Sequence, residues 1–440
     1  MTDQIHPHWG RLKDNYDDKY VYDTGAIYQQ AMFSPRVIEA LHDDGTEAIG
    51  KLRALGESSE EPDREDPDNQ ITLLMLHSIL QLMPFKCSLT KLGSPLVIRG
   101  CIKLMRSIKR LGRPSPFSYE YGYLCFRILN IAFDFCALQL SDRYSSWATE
   151  MTQPQYGFLK EGHVPMMSQA ISEVLSDCTR ELKDPYSPMF FASRHWDDSY
   201  TGLLITPDDL VLLGKIMDED RKHFSIFLRS NYELGLSALM YAMFHHIRRS
   251  PYSPDKVTFI QAFCRIYFRL LFATPGYSLC QEWMHKCVVQ LSGTQDPSLA
   301  FLDVEDSKLL LRAYVDRLTT LSDSSMHPPA TTPLAIKLLH YLIPLLRDGC
   351  ETLIPPVIQA TIQCMWRDIN SDGTLLVEAC LHILNYITCL VQFVAARARN
   401  DRDTLHKVMN VLFDEGLVNI GRSLSSKTPH LSRQSNSSIG

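Results

Sequence analysis

From Ser34 onward, apolar residues return every three or four positions, and stretches that alternate apolar and polar with a period of two are nearly absent. That spacing lays one apolar stripe along a helix and gives a strand no face to bury. The chain is therefore expected to be all-α. Its punctuation agrees: Ser34-Pro35, Ser94-Pro95, Thr206-Pro207, Ser253-Pro254, Thr274-Pro275 and Thr332-Pro333 each set a hydroxyl before a proline. The hydroxyl can accept from free N–H groups of a first turn, and proline at the first helical position gives up no paired donor.

Helices are expected near 35–55, 70–83, 95–112, 117–140, 164–183, 207–230, 232–249, 255–273, 277–292, 304–322, 333–347, 353–367, 374–398 and 403–420. Short turns join most of them, and short connections make antiparallel neighbours. The expectation is an irregular array of antiparallel helical hairpins. It resembles armadillo and HEAT α-solenoids in architecture, or a large helical bundle, but no period or signature recurs along the chain. Residues 1–34 read as an N-terminal extended segment, 35–420 as the array, and 421–440 as a disordered Ser-rich tail. Within the array, ESSEEPDREDPDN at 57–69 is an acidic, proline-broken exposed loop, and 141–163 is a candidate boundary between lobes.

Formal net charge is -6, with a sequence pI near 6.2, so no global attraction draws the chain to nucleic acid or an anionic membrane. The 12 cysteines include no CxxC pair, and Cys101, Cys125, Cys136, Cys264, Cys364 and Cys380 stand among apolar residues at helical spacing. They read as small hydrophobes in reduced form. With no apolar core in MTDQIHPHWGRLKD, a cytoplasmic or nuclear location is expected.

The uncharged run 379–396 is long enough to suggest a membrane span. However, Glu378, His382, Asn385, Thr388, Gln392 and Arg399 fall within about a third of a helix's circumference. A helix buried on most sides in protein, with one polar stripe, is expected instead.

Chemistry is scarce. DINSDGTLLVEA, Asp368 to Ala379, carries Asp, Asn, Asp and Gly at the positions of an EF-hand calcium loop, which it resembles. That loop needs a bidentate Glu at its twelfth position, where this chain has Ala379; Glu378 comes one residue early, about 100° round the outgoing helix. A helix-turn-helix corner, with Asp or Ser capping neighbouring ends, is expected. In MYAMFHHIRR, adjacent His245 and His246 point apart, and the basic residues read as charge set against the negative end of a helix. In CQEWMHKC, Cys280 and Cys287 share a face from which His285 is far removed, so no zinc site is expected.

No phosphate loop, GxGxxG, HExxH or nucleophile elbow is present. Asp43-Asp44 with Glu47, and Asp142 with Ser146 and Glu150, resemble the magnesium motifs of fungal and bacterial terpene synthases, which are all-helical. The resemblance covers those two patches, with Arg143 in place of an acid and Asp43-Asp44-Gly45 reading as a turn. It implies, as the alternative, an all-α enzyme or small-molecule binder. Its most aromatic helix, 117–135, would line the pocket or, more simply, form the central core.

The sharpest charged feature lies in SPLVIRGCIKLMRSIKRLGR. Arg99, Lys103, Arg106, Arg110 and Arg113 fall within an arc of about 80° on a helix, opposite Val97, Cys101, Leu104, Ile108 and Leu111. This stripe is the expected partner-binding surface, with the acidic residues of 57–68 as an internal competitor for it. The leading expectation is a non-catalytic interaction scaffold or adaptor for protein partners, with no catalytic residue, cofactor, metal, specific nucleic acid or membrane span.

Overall fold

The computed structural model describes residues 5–12, 35–59, 71–82, 90–110, 112–139, 141, 144–150, 167, 170–171, 173–175, 204–230, 236–273, 303–319, 330–371, 377–397 and 402–416. The chain is mostly helical. Contacts divide it into two units, Met1–Leu270 with Ser278–Pro297 and Leu271–Tyr277 with Ser298–Gly440.

The first unit opens with a small hairpin, β1 (Ile5–His6) antiparallel to β2 (Gly10–Arg11), turned by Gly10 at φ +72°. Among the described residues three helices follow: α1 (Pro35–Glu57), α2 (Leu73–Gln81) and α3 (Pro95–Ser107). A second hairpin, β3 (Lys109–Arg110) with β4 (Arg113–Pro114), and a 3-10 turn, Pro116–Ser118, lead into α4 (Glu120–Gln139). Then come α5 (Tyr144–Glu150), α6 (Pro207–Glu219), α7 (Arg221–Ser230), α8 (Ser237–Arg249) and α9 (Pro254–Ala273), the last of which passes into the second unit at Leu271.

Three of the expected hydroxyl caps form: Ser94 Oγ accepts from Leu96 N–H, Thr206 Oγ1 from Asp209 N–H and Ser253 Oγ from Lys256 N–H. Thr72 Oγ1, at a start that no proline marks, accepts from Met75 N–H.

Helix α4 is the core of this unit: every residue but Glu120, Arg127 and Gln139 is buried. Helices α2, α3 and α8 and the 3-10 turn pack round it. Phe117 meets Phe126 edge to face at 5.1 Å between ring centroids, and Phe126 meets Phe227 at 5.0 Å. Two glycines let α1 and α3 touch backbone to backbone. A Cβ at Gly56 would lie 1.9 Å from Leu96 O, and one at Gly100 would lie 2.3 Å from Leu52 O.

The second unit contains α10 (Val304–Thr319), α11 (Thr332–Leu342), α12 (Ile354–Ser371), α13 (Val377–Arg397) and α14 (Arg402–Asp414). Each helix packs on the next and on the next but one: α10 on α12, α12 on α14, α11 on α13. Tyr314 and Thr361 join α10 to α12 through their hydroxyls at 2.8 Å. Glu415 Oε1 accepts from Gln359 and Gln363 at 2.9 Å each, and its carbonyl accepts from Trp366 Nε1. The end of α14 is thereby tied to α12.

Several expectations are corrected. The helix expected over 95–112 stops at Ser107, because Ile108 turns extended and Gly112, at φ +78°, closes the β3–β4 turn. The helix expected over 207–230 breaks at Asp220, whose buried carboxylate accepts from Phe117 N–H at 3.0 Å. Asp43-Asp44-Gly45 is no turn but part of α1, where Gly45 fits against Leu82. Helix α5 lies within the expected break 141–163, of which 151–163 fall outside the described residues, as do 13–34, 60–70, 277–292 and the tail 421–440.

Helix α13 is the largest correction. It was expected to be buried on most sides, but only Cys380, Ile383, Ile387, Leu390 and Val394 are, one stripe at three- and four-residue spacing. Glu378, His382, Asn385, Thr388 and Gln392 form the exposed face.

Candidate functional site

The basic stripe does not survive as one stripe. Lys103 Nζ donates to Leu55 O at 2.9 Å and to Ser58 O, so its charge caps the carbonyl end of α1. Arg99 is half-buried on the same face of α3. Arg106 is exposed in the last turn, while Arg110 and Arg113 sit on the β3–β4 hairpin, directly opposite each other in register. Lys109, which the helical reading left out, is exposed beside them. The acidic competitor expected at 57–68 lies from Glu60 onward outside the described residues.

The hairpin is held at both ends. Ser115 N–H donates to Ile108 O at 3.2 Å, Ile108 is fully buried, and Pro116, Phe117 and Ser118 are buried on the other side. Arg113 and Pro114 are exposed.

The calcium-like loop has a structural use. Asp368 lies in α12, and its Oδ2 accepts from Thr332 N–H at 2.6 Å at the start of α11. This carboxylate caps a neighbouring helix in place of the hydroxyl expected of Thr332: Thr331 is the residue preceding that helix, and its side chain makes no capping bond. Asp372 and Gly373 lie outside the described residues.

Of the terpene-synthase-like patches, only the first is fully described. Asp43, Asp44 and Glu47 are exposed on α1, with Glu47 3.4 Å from Lys51; Asp142 lies outside the described residues. Among the described residues no group of three or more His, Cys, Asp or Glu could hold a metal ion. Cys280, His285 and Cys287 are outside them.

His245 corrects the electrostatic reading of its helix end. It is buried, and burial together with Arg249 and Arg248 pushes its imidazole down to about 4, so it is neutral near pH 7. Burial also lowers His246. The positive charge in the last turn of α8 therefore comes from Arg248 and Arg249.

One cluster was missed altogether. Ser118, Asp220 and His223 are buried together, at 0%, 7% and 6% exposure. Chemically they are the set of a hydrolase, but the geometry is different. Asp220 Oδ1, at 2.7 Å, and Ser118 Oγ, at 3.3 Å, both lie at the same ring nitrogen, His223 Nδ1. A serine nucleophile needs the nitrogen that the carboxylate leaves open. Here the carboxylate also binds Phe117 N–H, and Tyr123 Oη donates to His223 O at 3.2 Å. The cluster pins the α6–α7 break to the entry of α4. In sequence its only trace is Asp220 and His223 three apart in a charged run.

Cysteine chemistry is muted. Burial raises Cys125, Cys101 and Cys350, lifts Cys136 and Cys364 to about 12, and lifts Cys264 to about 11. At neutral pH these are thiols, not nucleophilic thiolates. No family model, curated protein or solved structure matches the chain.

Proposed function

We propose that the chain is a non-catalytic interaction scaffold, an irregular array of helical hairpins that offers its outer surfaces to protein partners. The observation that carries this reading is the packing order of the second unit. Each helix rests on the next and the next but one, so α10, α12 and α14 form one row and α11 and α13 another. That order supports a reading as stacked hairpins, whose rows would leave long outer faces. The polar face of α13 and the charged hairpin β3–β4 are such outer surfaces.

The reading includes no membrane span. Of the two helices among the described residues long and apolar enough for one, α4 is wrapped in protein, and α13 would carry His382, Asn385, Thr388 and Gln392 into lipid. It also includes a cytoplasmic or nuclear setting and no specific nucleic acid, in keeping with the net charge of -6. The enzyme or small-molecule alternative draws no support from the aromatic helix, whose Phe126 packs against Phe117 of the preceding turn and Phe227 of α7.

Affinity capture with mass spectrometry tests the proposal. The wild type is compared with Arg106→Glu/Lys109→Glu/Arg113→Glu and with Asn385→Lys/Gln392→Lys, each checked for folding by circular dichroism. A specific set of proteins held by the wild type and lost by one folded variant is expected. No specific set, or an identical set on all three, contradicts the scaffold reading.

A further inference from the structure

Six Ser-Pro or Thr-Pro steps fall among the described residues, with Ser94, Ser115, Thr206, Ser250, Ser253 and Thr332 as their hydroxyl residues. The fold already uses or covers five of them. Ser94 and Thr332 are buried, at 9% and 0% exposure, and Ser115 pairs with the Ser118 hydroxyl beside buried Pro116. Thr206 donates to Asp209 Oδ2 at 2.7 Å, and Ser250 donates to His246 O at 2.8 Å. Ser253 differs. Its hydroxyl accepts from Lys256 N–H at 3.1 Å, and among the described residues its own hydrogen has no acceptor.

Ser253 also sits in an open corner. From Arg248 to Thr258, where α8 gives way to α9, no residue is buried, and Tyr252 is 87% exposed. Proline after Ser250 and again after Ser253 disfavours helical backbone at both serines, and Ser250 is extended at φ -66° and ψ 137°. An uncovered, extended segment is a form in which a peptide enters another protein's cleft. Pro254 adds selectivity. A cleft with no acceptor for the N–H that follows the modified residue leaves that donor unpaired in every residue but proline, which has none.

We propose that Ser253 is a phosphorylation site for a proline-directed protein kinase that uses ATP. Ser253 Oγ attacks the γ-phosphorus, the Oγ–P bond forms, the bond from that phosphorus to the diphosphate oxygen breaks, and ADP leaves. The hydroxyl proton passes to the kinase's catalytic carboxylate. The fold accepts the new charge. Ser253 immediately precedes α9, so the phosphate lies at the positive end of that helix. Lys256, three residues on, uses one of its three ammonium donors on Ser250 O and has two others to offer a phosphate. In the corner, Arg248, Arg249 and Lys256 outnumber Asp255, its one acidic residue. The inference stands apart from the scaffold reading and does not depend on it.

The test is incubation of the folded full chain with ATP and a cyclin-dependent kinase, each phosphate being located by peptide mass spectrometry. Ser253 is expected to react at least about tenfold faster than Ser94, Ser115, Thr206, Ser250 or Thr332, which must first be freed by local opening. Ser34, Ser187, Thr274 and Thr428 lie outside the described residues and do not enter the comparison. Pro254→Ala keeps the Ser253 cap but restores an N–H, and is expected to slow the reaction at Ser253 at least about tenfold. Thermal melts verify that the variant is folded. The chain phosphorylated at Ser253 is expected to melt no lower than the unmodified chain.

The inference is overturned if Ser253 stays unmodified, if the buried steps react as fast, or if Ser250 takes the phosphate in its place. It is equally overturned if Pro254→Ala reacts like the wild type, or if the phosphate at Ser253 lowers the melting temperature.

Discussion

Helices α4 and α13 have nearly the same length, 20 and 21 residues, and both are apolar enough to cross a membrane, yet they are placed in opposite ways. In α4, 94% of the apolar window is buried; in α13, 28% is. Hydropathy alone does not separate them, since α13 has the higher mean, 1.7 against 1.3. The arrangement of polar residues does. In α13 they recur every three or four positions and turn one whole face outward. In α4 only Asn130 and Asp134 among the charged and amide side chains are fully inside, and Asn130 donates to Phe126 O at 2.7 Å.

The largest effect that sharpens this contrast is in α4. Phe126→Ala empties a fully buried site and is expected to cost about 3–5 kcal/mol in chemical denaturation. If the loss were small, the core assignment of α4 would be wrong.

Next comes pH, through His245 in the first unit. Its imidazole is lowered in the fold from an ordinary 6.5 to about 4. Between those values the unfolded chain binds the extra proton and the folded chain does not, so stability is full above about 6.5 and falls as pH drops toward 4. The loss is about 2–3 kcal/mol, and it disappears from the melting profile of His245→Phe.

Close backbone contact gives a third contrast, this time within one helix. Gly56→Ala forces a Cβ onto Leu96 O and is expected to cost about 1–3 kcal/mol or more, whereas Gly50→Ala meets nothing within 4 Å and stabilises by about 0.5–1 kcal/mol. In the second unit, Asp368→Ala removes the acceptor for Thr332 N–H, an expected loss of about 1 kcal/mol. The smallest effect is Leu381→Ala on the outer side of α13, 60% exposed and expected to lie within about 0.5 kcal/mol of the wild type.

The helices were legible because their apolar stripes and hydroxyl-proline starts are local signals. Where helices ended was less so. Residues 108–113 keep helical spacing in the sequence, yet Gly112 at φ +78° and Pro114 favour a hairpin, and this split the expected basic stripe into structural cations and an exposed tip. Lys103 could not be recognised as a cap, because its acceptors belong to another helix. The Ser118-Asp220-His223 cluster joins residues about a hundred positions apart, a distance over which spacing carries no information. The polar stripe of α13 is legible from spacing from Glu378 to Gln392. How much of the rest would be covered depended on neighbours that periodicity does not count.

Hydroxyl-radical footprinting of the native chain, with and without phosphatidylcholine vesicles, tests most directly whether α13 is an outer helix of an array. The account predicts that Leu381 in α13 and Met409 and Phe413 in α14, all exposed, are oxidised readily in both conditions, while Tyr123, Phe126 and Phe133 in α4 are protected. Protection of Leu381 to the level of Phe126, in either condition, would contradict it.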